Sequence, residues 1–135
     1  MQMAVISGDG VFSHTCVGAS DLARSSAFYD AALAPLGVKN LGSVGENVVL
    51  YGKDKPALLV LRPSNGEAPS SNGVTIGFAA ETTDQVDAFH AAGLAAGGVC
   101  EGAAGPRQRL PGAYAAYLRD PAGNKICAYS FTEGN

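Results

Sequence analysis

Hydrophobic and polar positions alternate from Phe12 to Gly18, which predicts a short strand. Phe12, His14 and Cys16 fall on one face, and Ser13, Thr15 and Val17 on the other. The spacing then turns helical. Leu22, Tyr29, Leu33 and Leu36 mark one buried stripe, and Ser20 or Asp21 can cap its start. Pro35 and Gly37 end it. The segments 38–44, 47–51 and 57–61 read as three strands, broken at Gly45-Glu46 and over 52–56. This first unit is β-α-β-β-β.

The pattern then recurs. Gly73 to His90, GVTIGFAAETTDQVDAFH, repeats Ser13 to Tyr29 at an offset of 61 positions. Ala27 and Phe28 fall on Ala88 and Phe89, Leu33 falls on Leu94, and His14 falls on Thr75. In the strand 74–80, Val74, Ile76 and Phe78 form the apolar face, which leaves Thr75 and Gly77 opposite. Thr82 and Gln85 have capping-box spacing. Val86, Phe89, Gly93 and Leu94 make the helix stripe, ended by Gly97-Gly98. A short strand 99–102 precedes a loop 103–111 that carries Arg107 and Arg109. Strands 113–119 and 125–131 flank the turn DPAGN, whose proline and glycine suit its two halves. The expected organisation is one α+β domain over 1–135: unit one at 12–62, a polar connector at 63–72, and unit two at 73–131.

A helix covers one face of each small sheet. The opposite faces then form a cup or cleft, with His14, Cys16 and Thr75 looking into it. On the last strand the polar set Lys125, Cys127 and Tyr129 is the better candidate for the cup. Tyr51, Tyr114, Tyr117 and Tyr129 are candidate walls. Alternation alone leaves open whether Tyr114 or Tyr117 faces inward.

Composition narrows the partners. The chain of 135 residues is 47% hydrophobic and 16% charged, enough to bury a core. A net charge of −3 argues against nucleic acid, which needs a basic face. No apolar run approaches the ~20 residues of a membrane helix. Residues 1–10 read as a loose leader without signal-peptide character. Three cysteines, Cys16, Cys100 and Cys127, form no pair motif, and a reducing cytoplasm is the expectation.

His14, Asp21, Leu22, Ser25, Phe28 and Tyr29 together resemble the opening motif of the glyoxalase / bleomycin-resistance / extradiol-dioxygenase superfamily, also called vicinal oxygen chelate. The run from Arg119 to Ile126 resembles its closing motif. The resemblance implies paired βαβββ units forming a cup-shaped sheet, a homodimer, and a divalent metal chelating two neighbouring substrate oxygens. It also implies four metal corners. His14 keeps the first. The others fall on Thr75, Cys127 and, on the fourth strand, Leu59.

One imidazole, one thiol and a neutral hydroxyl are too few donors for a divalent ion. The expectation is therefore no bound metal or other cofactor, and a small-molecule ligand held by His14, Cys16, Thr75, Tyr117, Cys127, Tyr129, Arg107 and Arg109. The two arginines suit a carboxylate or phosphate. The resistance proteins of the family imply this mode, sequestration without chemistry. The alternative is a metal-dependent glyoxalase-like lyase or dioxygenase-like enzyme. It would use Zn, Ni, Mn or Fe at a non-standard site, with His14 and Cys127 as catalytic residues. A dimer without a small ligand is the third reading. His90, Cys100 and Lys125 read as helix-surface, structural and turn-flanking residues respectively.

Overall fold

The computed structural model describes residues 11–108 and 110–131. The expected leader over 1–10 and Arg109 lie outside the described residues. The elements run β1 (Thr15–Gly18), α1 (Leu22–Leu33), a 3-10 turn (Ala34–Leu36), β2 (Lys39–Val44), β3 (Val48–Gly52) and β4 (Leu58–Leu61). After the connector come β5 (Thr75–Ala79), α2 (Thr83–Ala95), β6 (Val99–Pro106), β7 (Ala113–Arg119) and β8 (Lys125–Phe131). Two four-stranded sheets result, in the orders β1-β4-β3-β2 and β5-β8-β7-β6. In each, the first strand lies parallel to the last, because the helix carries the chain back to the same end.

The repeat holds in its caps. Asp21 accepts from Arg24 N–H at 3.1 Å, and Thr82 accepts from Gln85 N–H at 3.1 Å, 61 positions on. The reciprocal half of the second box is shifted: Gln85 Oε1 accepts from Glu81 N–H at 2.7 Å rather than from Thr82. Gly37, with φ 79°, closes the first helical segment in a conformation that costs glycine little.

The two helices and the inner faces of both sheets share one core. Val17, Val49, Tyr51, Leu58 and Val60 come from the first sheet, and Ala116, Leu118, Ile126 and Ala128 from the second. Phe28 and Tyr29 of α1 and Val86 and Phe89 of α2 fill the space between them. The helices meet at Gly93, where a side chain would collide with Leu118 and lie 3.2 Å from Phe28. The Asn124 amide, in the last turn, donates to Gly18 O at 2.8 Å and ties unit two to the end of β1.

Several expectations need correction. β1 starts at Thr15, so Phe12 and His14 precede it, and Phe12 is 77% exposed. Val74 lies outside β5 at 60% exposure, while Ile76 and Phe78 do pack on the core. Leu94 is 40% exposed, because α2 buries only Val86, Phe89 and Gly93 where α1 buries six residues. β6 runs four residues further than its composition suggests. Its Gly- and Ala-rich sequence carries no alternation to read, yet Gly105 and Pro106 still pair with β7.

Candidate functional site

The register of the second sheet sorts its side chains into two sets. Thr75, Lys125, Arg119 and Val99 form one row, Gly77, Cys127, Tyr117 and Gly102 the next, and Ala79, Tyr129, Ala115 and Gly105 a third. These rows face away from the helices. Tyr114, of opposite parity, shows this directly: its hydroxyl donates to Asp87 of α2 at 2.6 Å. Tyr117 is therefore the tyrosine of the open face. Tyr51 is buried under α1, its hydroxyl donating to Asp30 at 2.9 Å and lying 3.1 Å from Ser26 O, and leaves the candidate list.

On this open face is a cavity of about 530 Å³, lined by Thr75, Glu101, Arg107, Tyr117 and Lys125 among others. All of its lining belongs to the second unit. Arg107, just after β6, folds back over it. Its guanidinium donates to the carbonyls of Ala103 (2.9 Å), Gly105 (3.1 Å) and Pro106 (3.4 Å). Its Cζ stands 5.5 Å from the centre of the Tyr117 ring, and Lys125 Nζ stands 5.3 Å from the same ring. Both contacts suit the negative face of an aromatic ring. Glu101 is engaged with Arg119 at 3.0 Å. Lys125 was expected to be a turn-flanking charge. Its alternation with Ile126 marked the correct face, but nothing in the sequence marked the cavity above it.

The Tyr117 and Tyr129 hydroxyls hydrogen bond to each other. Burial first, then that bond, pushes the Tyr117 phenol above its ordinary range. Burial also drives the Cys127 thiol up to about 11, against smaller opposing effects of Tyr117, Lys125 and Arg107. Cys127 is thus a protonated thiol at neutral pH, with 3% of its surface exposed.

The first sheet presents a different open face. Cys16, Leu59 and Leu50 form one row, and Gly18, Leu61 and Val48 the next. His14 sits just ahead of β1, exposed, with Nδ1 2.9 Å from Ser13 Oγ. It is not among the residues that line the cavity beside Thr75. Cys100 is exposed, and its Sγ lies 3.2 Å from Nε2 of His90 on α2. Desolvation lowers the His90 pKa.

The donors do not fit a divalent metal. Thr75 is a neutral hydroxyl, Cys127 is a single thiol, and Leu59 has no donor atom. Among the described residues no three His, Cys, Asp or Glu side chains come together as a set of ligands.

Comparison with known proteins agrees with this architecture. The sequence model of the Glyoxalase/Bleomycin resistance protein/Dioxygenase superfamily matches residues 11–128. A glyoxalase/bleomycin resistance protein from Albidiferax ferrireducens is 45% identical, over 90% of this chain and 98% of that one, with a TM-score of 0.80. The chain belongs to the glyoxalase/bleomycin resistance protein/dioxygenase superfamily. More distant structures share the fold. A putative glyoxalase from Bacillus halodurans is 21% identical over 91% of this chain and 97% of that one, with a TM-score of 0.69. Lactoylglutathione lyase from Agrobacterium tumefaciens is 23% identical over 88% and 92%, with a TM-score of 0.60. No curated protein matches the chain.

Proposed function

We propose that this protein binds a small organic ligand in a cup completed by a second copy of itself, without the family's divalent metal. One observation carries the reading. The cavity at Thr75, Tyr117 and Lys125 is lined by the second unit alone, while the first sheet leaves Cys16, Leu50, Leu59 and Leu61 outside the core. A bare apolar face and a bare polar face on one chain suit pairing between copies, the first sheet of one against the second sheet of the other. That pairing gives each cup an apolar wall, and it carries His14 of one copy towards Thr75 and Cys127 of the other.

The mode is binding without chemistry, as the likeness to resistance proteins suggests. A lyase of the lactoylglutathione type needs a metal that these donors do not suit, and a thiol with its pKa at about 11 is a poor nucleophile. The free thiols suit a reducing cytoplasm.

Light scattering after gel filtration should give twice the chain mass. In a variant without native cysteines, His14→Cys and Thr75→Cys should form a disulfide between copies. A monomer in solution, or no cross-link, overturns the paired cup. Calorimetric titration with Zn, Ni, Mn and Fe(II) should show no binding in the micromolar range. Micromolar affinity lost in His14→Ala overturns the metal-free reading. A thermal-shift screen with aromatic acids, catechols, glutathione adducts and antibiotics should find a stabilising ligand, since whatever binds only the folded state raises its melting temperature.

A further inference from the structure

We infer that the open face of the second sheet recognises one chemical class of ligand: a flat, apolar molecule carrying a single oxyanion, either a carboxylate or a phosphate monoester. This rests on the cup being a ligand site, but not on a second copy completing it.

Charge is the first observation. Glu101 faces three cations in and beside the cavity: Arg107, Arg119 and Lys125. It pairs with Arg119 and leaves two positive charges in excess, in a chain whose net charge is −3. Arg107 makes no ion pair, and the Lys125 ammonium makes neither an ion pair nor a hydrogen bond among the described residues. Both cations sit within 5.5 Å of one tyrosine ring. Two like charges lining one cavity repel, and an oxyanion bound there relieves that repulsion.

Preorganisation is the second. Three backbone carbonyls fix the Arg107 guanidinium and occupy part of its donor set, which leaves N–H groups to spare. The Thr75 hydroxyl lines the same cavity and adds a neutral donor. An oxyanion arriving there meets donors already in position, so little rotamer entropy is lost on binding.

The third is the row of rings leading away from these charges. Tyr117 meets Tyr129 edge-on at 5.9 Å, and Tyr129 stacks on Phe131 at 5.6 Å. Only Tyr117 of these rings lines the cavity, beside the small residues Gly102 and Ala103. The result is a cationic cavity with one aromatic wall. It suits a ligand whose flat apolar part packs beside the Tyr117 ring, with its anionic group at Arg107 and Lys125.

The test uses the full chain and four probes: benzoate, phenyl phosphate, inorganic phosphate and benzyl alcohol. Benzoate or phenyl phosphate should bind, with affinity falling as salt rises. Benzyl alcohol should bind at least about tenfold more weakly, having lost the charge-assisted bonds. Whichever of the two aromatic anions binds more tightly tells a carboxylate from a phosphate as the natural group. Inorganic phosphate should bind more weakly than phenyl phosphate. Equal binding overturns the aromatic wall. Lys125→Gln should weaken the anions about tenfold and leave benzyl alcohol unchanged, and Lys125→Arg should restore them. Circular dichroism melts check that both variants fold. Benzyl alcohol binding as well as benzoate, or Lys125→Gln without effect, overturns the anion site and leaves the ligand cup standing. Anion binding by a monomer leaves this inference intact and overturns the paired cup instead. If none of the four probes binds, the inference fails.

Discussion

The Tyr29 hydroxyl donates a 2.6 Å hydrogen bond to Oδ2 of Asp120, joining α1 to the end of β7 across 91 positions of sequence. Both residues are buried. The same carboxylate accepts from the N–H groups of Ala122 and Asn124, each at 2.9 Å, and from the Asn124 amide at 2.8 Å. One acidic group thus holds the last turn and anchors the first helix to it. Tyr29→Phe removes one charge-assisted bond and should cost about 2 kcal/mol in urea unfolding. Asp120→Ala strands several buried donors at once and should cost more than Tyr29→Phe.

Alkaline unfolding should begin early. Burial, reinforced by Asp120, raises the Tyr29 pKa well above 10, and burial with the Asp30 hydrogen bond raises that of Tyr51. In the unfolded chain these phenols ionise near pH 10, while in the folded chain they stay protonated. Above pH 10 the unfolded state therefore binds fewer protons, and stability falls as pH rises. Their contribution is intact below pH 10 and lost through the interval up to the folded pKa values. The slope for Tyr29 should be about 1.4 kcal/mol per pH unit. Unfolding free energies between pH 9 and 11.5 should fall less steeply in Tyr29→Phe than in the parent.

Gly93→Ala tests the helix crossing. Alanine favours a helix by roughly 1 kcal/mol over glycine. Here its methyl group would meet Leu118 and Phe28. Overpacking of this kind costs about 1–3 kcal/mol, so the variant should be less stable despite its better propensity. A higher denaturation midpoint in the variant would refute the tight crossing.

Thiol labelling separates the three cysteines. At pH 8, mass spectrometry after iodoacetamide treatment should find Cys16 and Cys100 modified and Cys127 intact. Cys127 is buried, with its pKa pushed up to about 11. In urea all three should react. Prompt native labelling of Cys127 would show that its burial is wrong.

The sequence repeat carried most of the fold. Asp21 and Thr82 cap equivalent helices, and Phe28 and Phe89 are both fully buried at the same register. The duplication broke down where the two helices have different neighbours, as at Leu33 and Leu94. The site was legible only face by face. Alternation put Thr75, Cys127 and Tyr129 on one side of the sheet, but it could not choose between Tyr114 and Tyr117. That choice depends on which parity of β7 meets α2, a long-range relationship fixed by Asp87. The same alternation put Lys125 on the cup face, yet its place beside a turn made it read as a surface charge. A charge beside a turn looks solvated until the tertiary structure shows the Tyr117 ring 5.3 Å from it.

The common core of the two units bears on how the chain comes apart. Phe28 lies against Gly93, so neither half closes its interior without the other. The connector is pinned as well: a side chain at Gly18 would lie 2.6 Å from Pro69, and Ser71 donates to Gly123 O at 3.0 Å. Despite its internal symmetry the molecule should melt in a single cooperative step. Fragments cut within the connector should be unfolded apart and regain structure only when mixed.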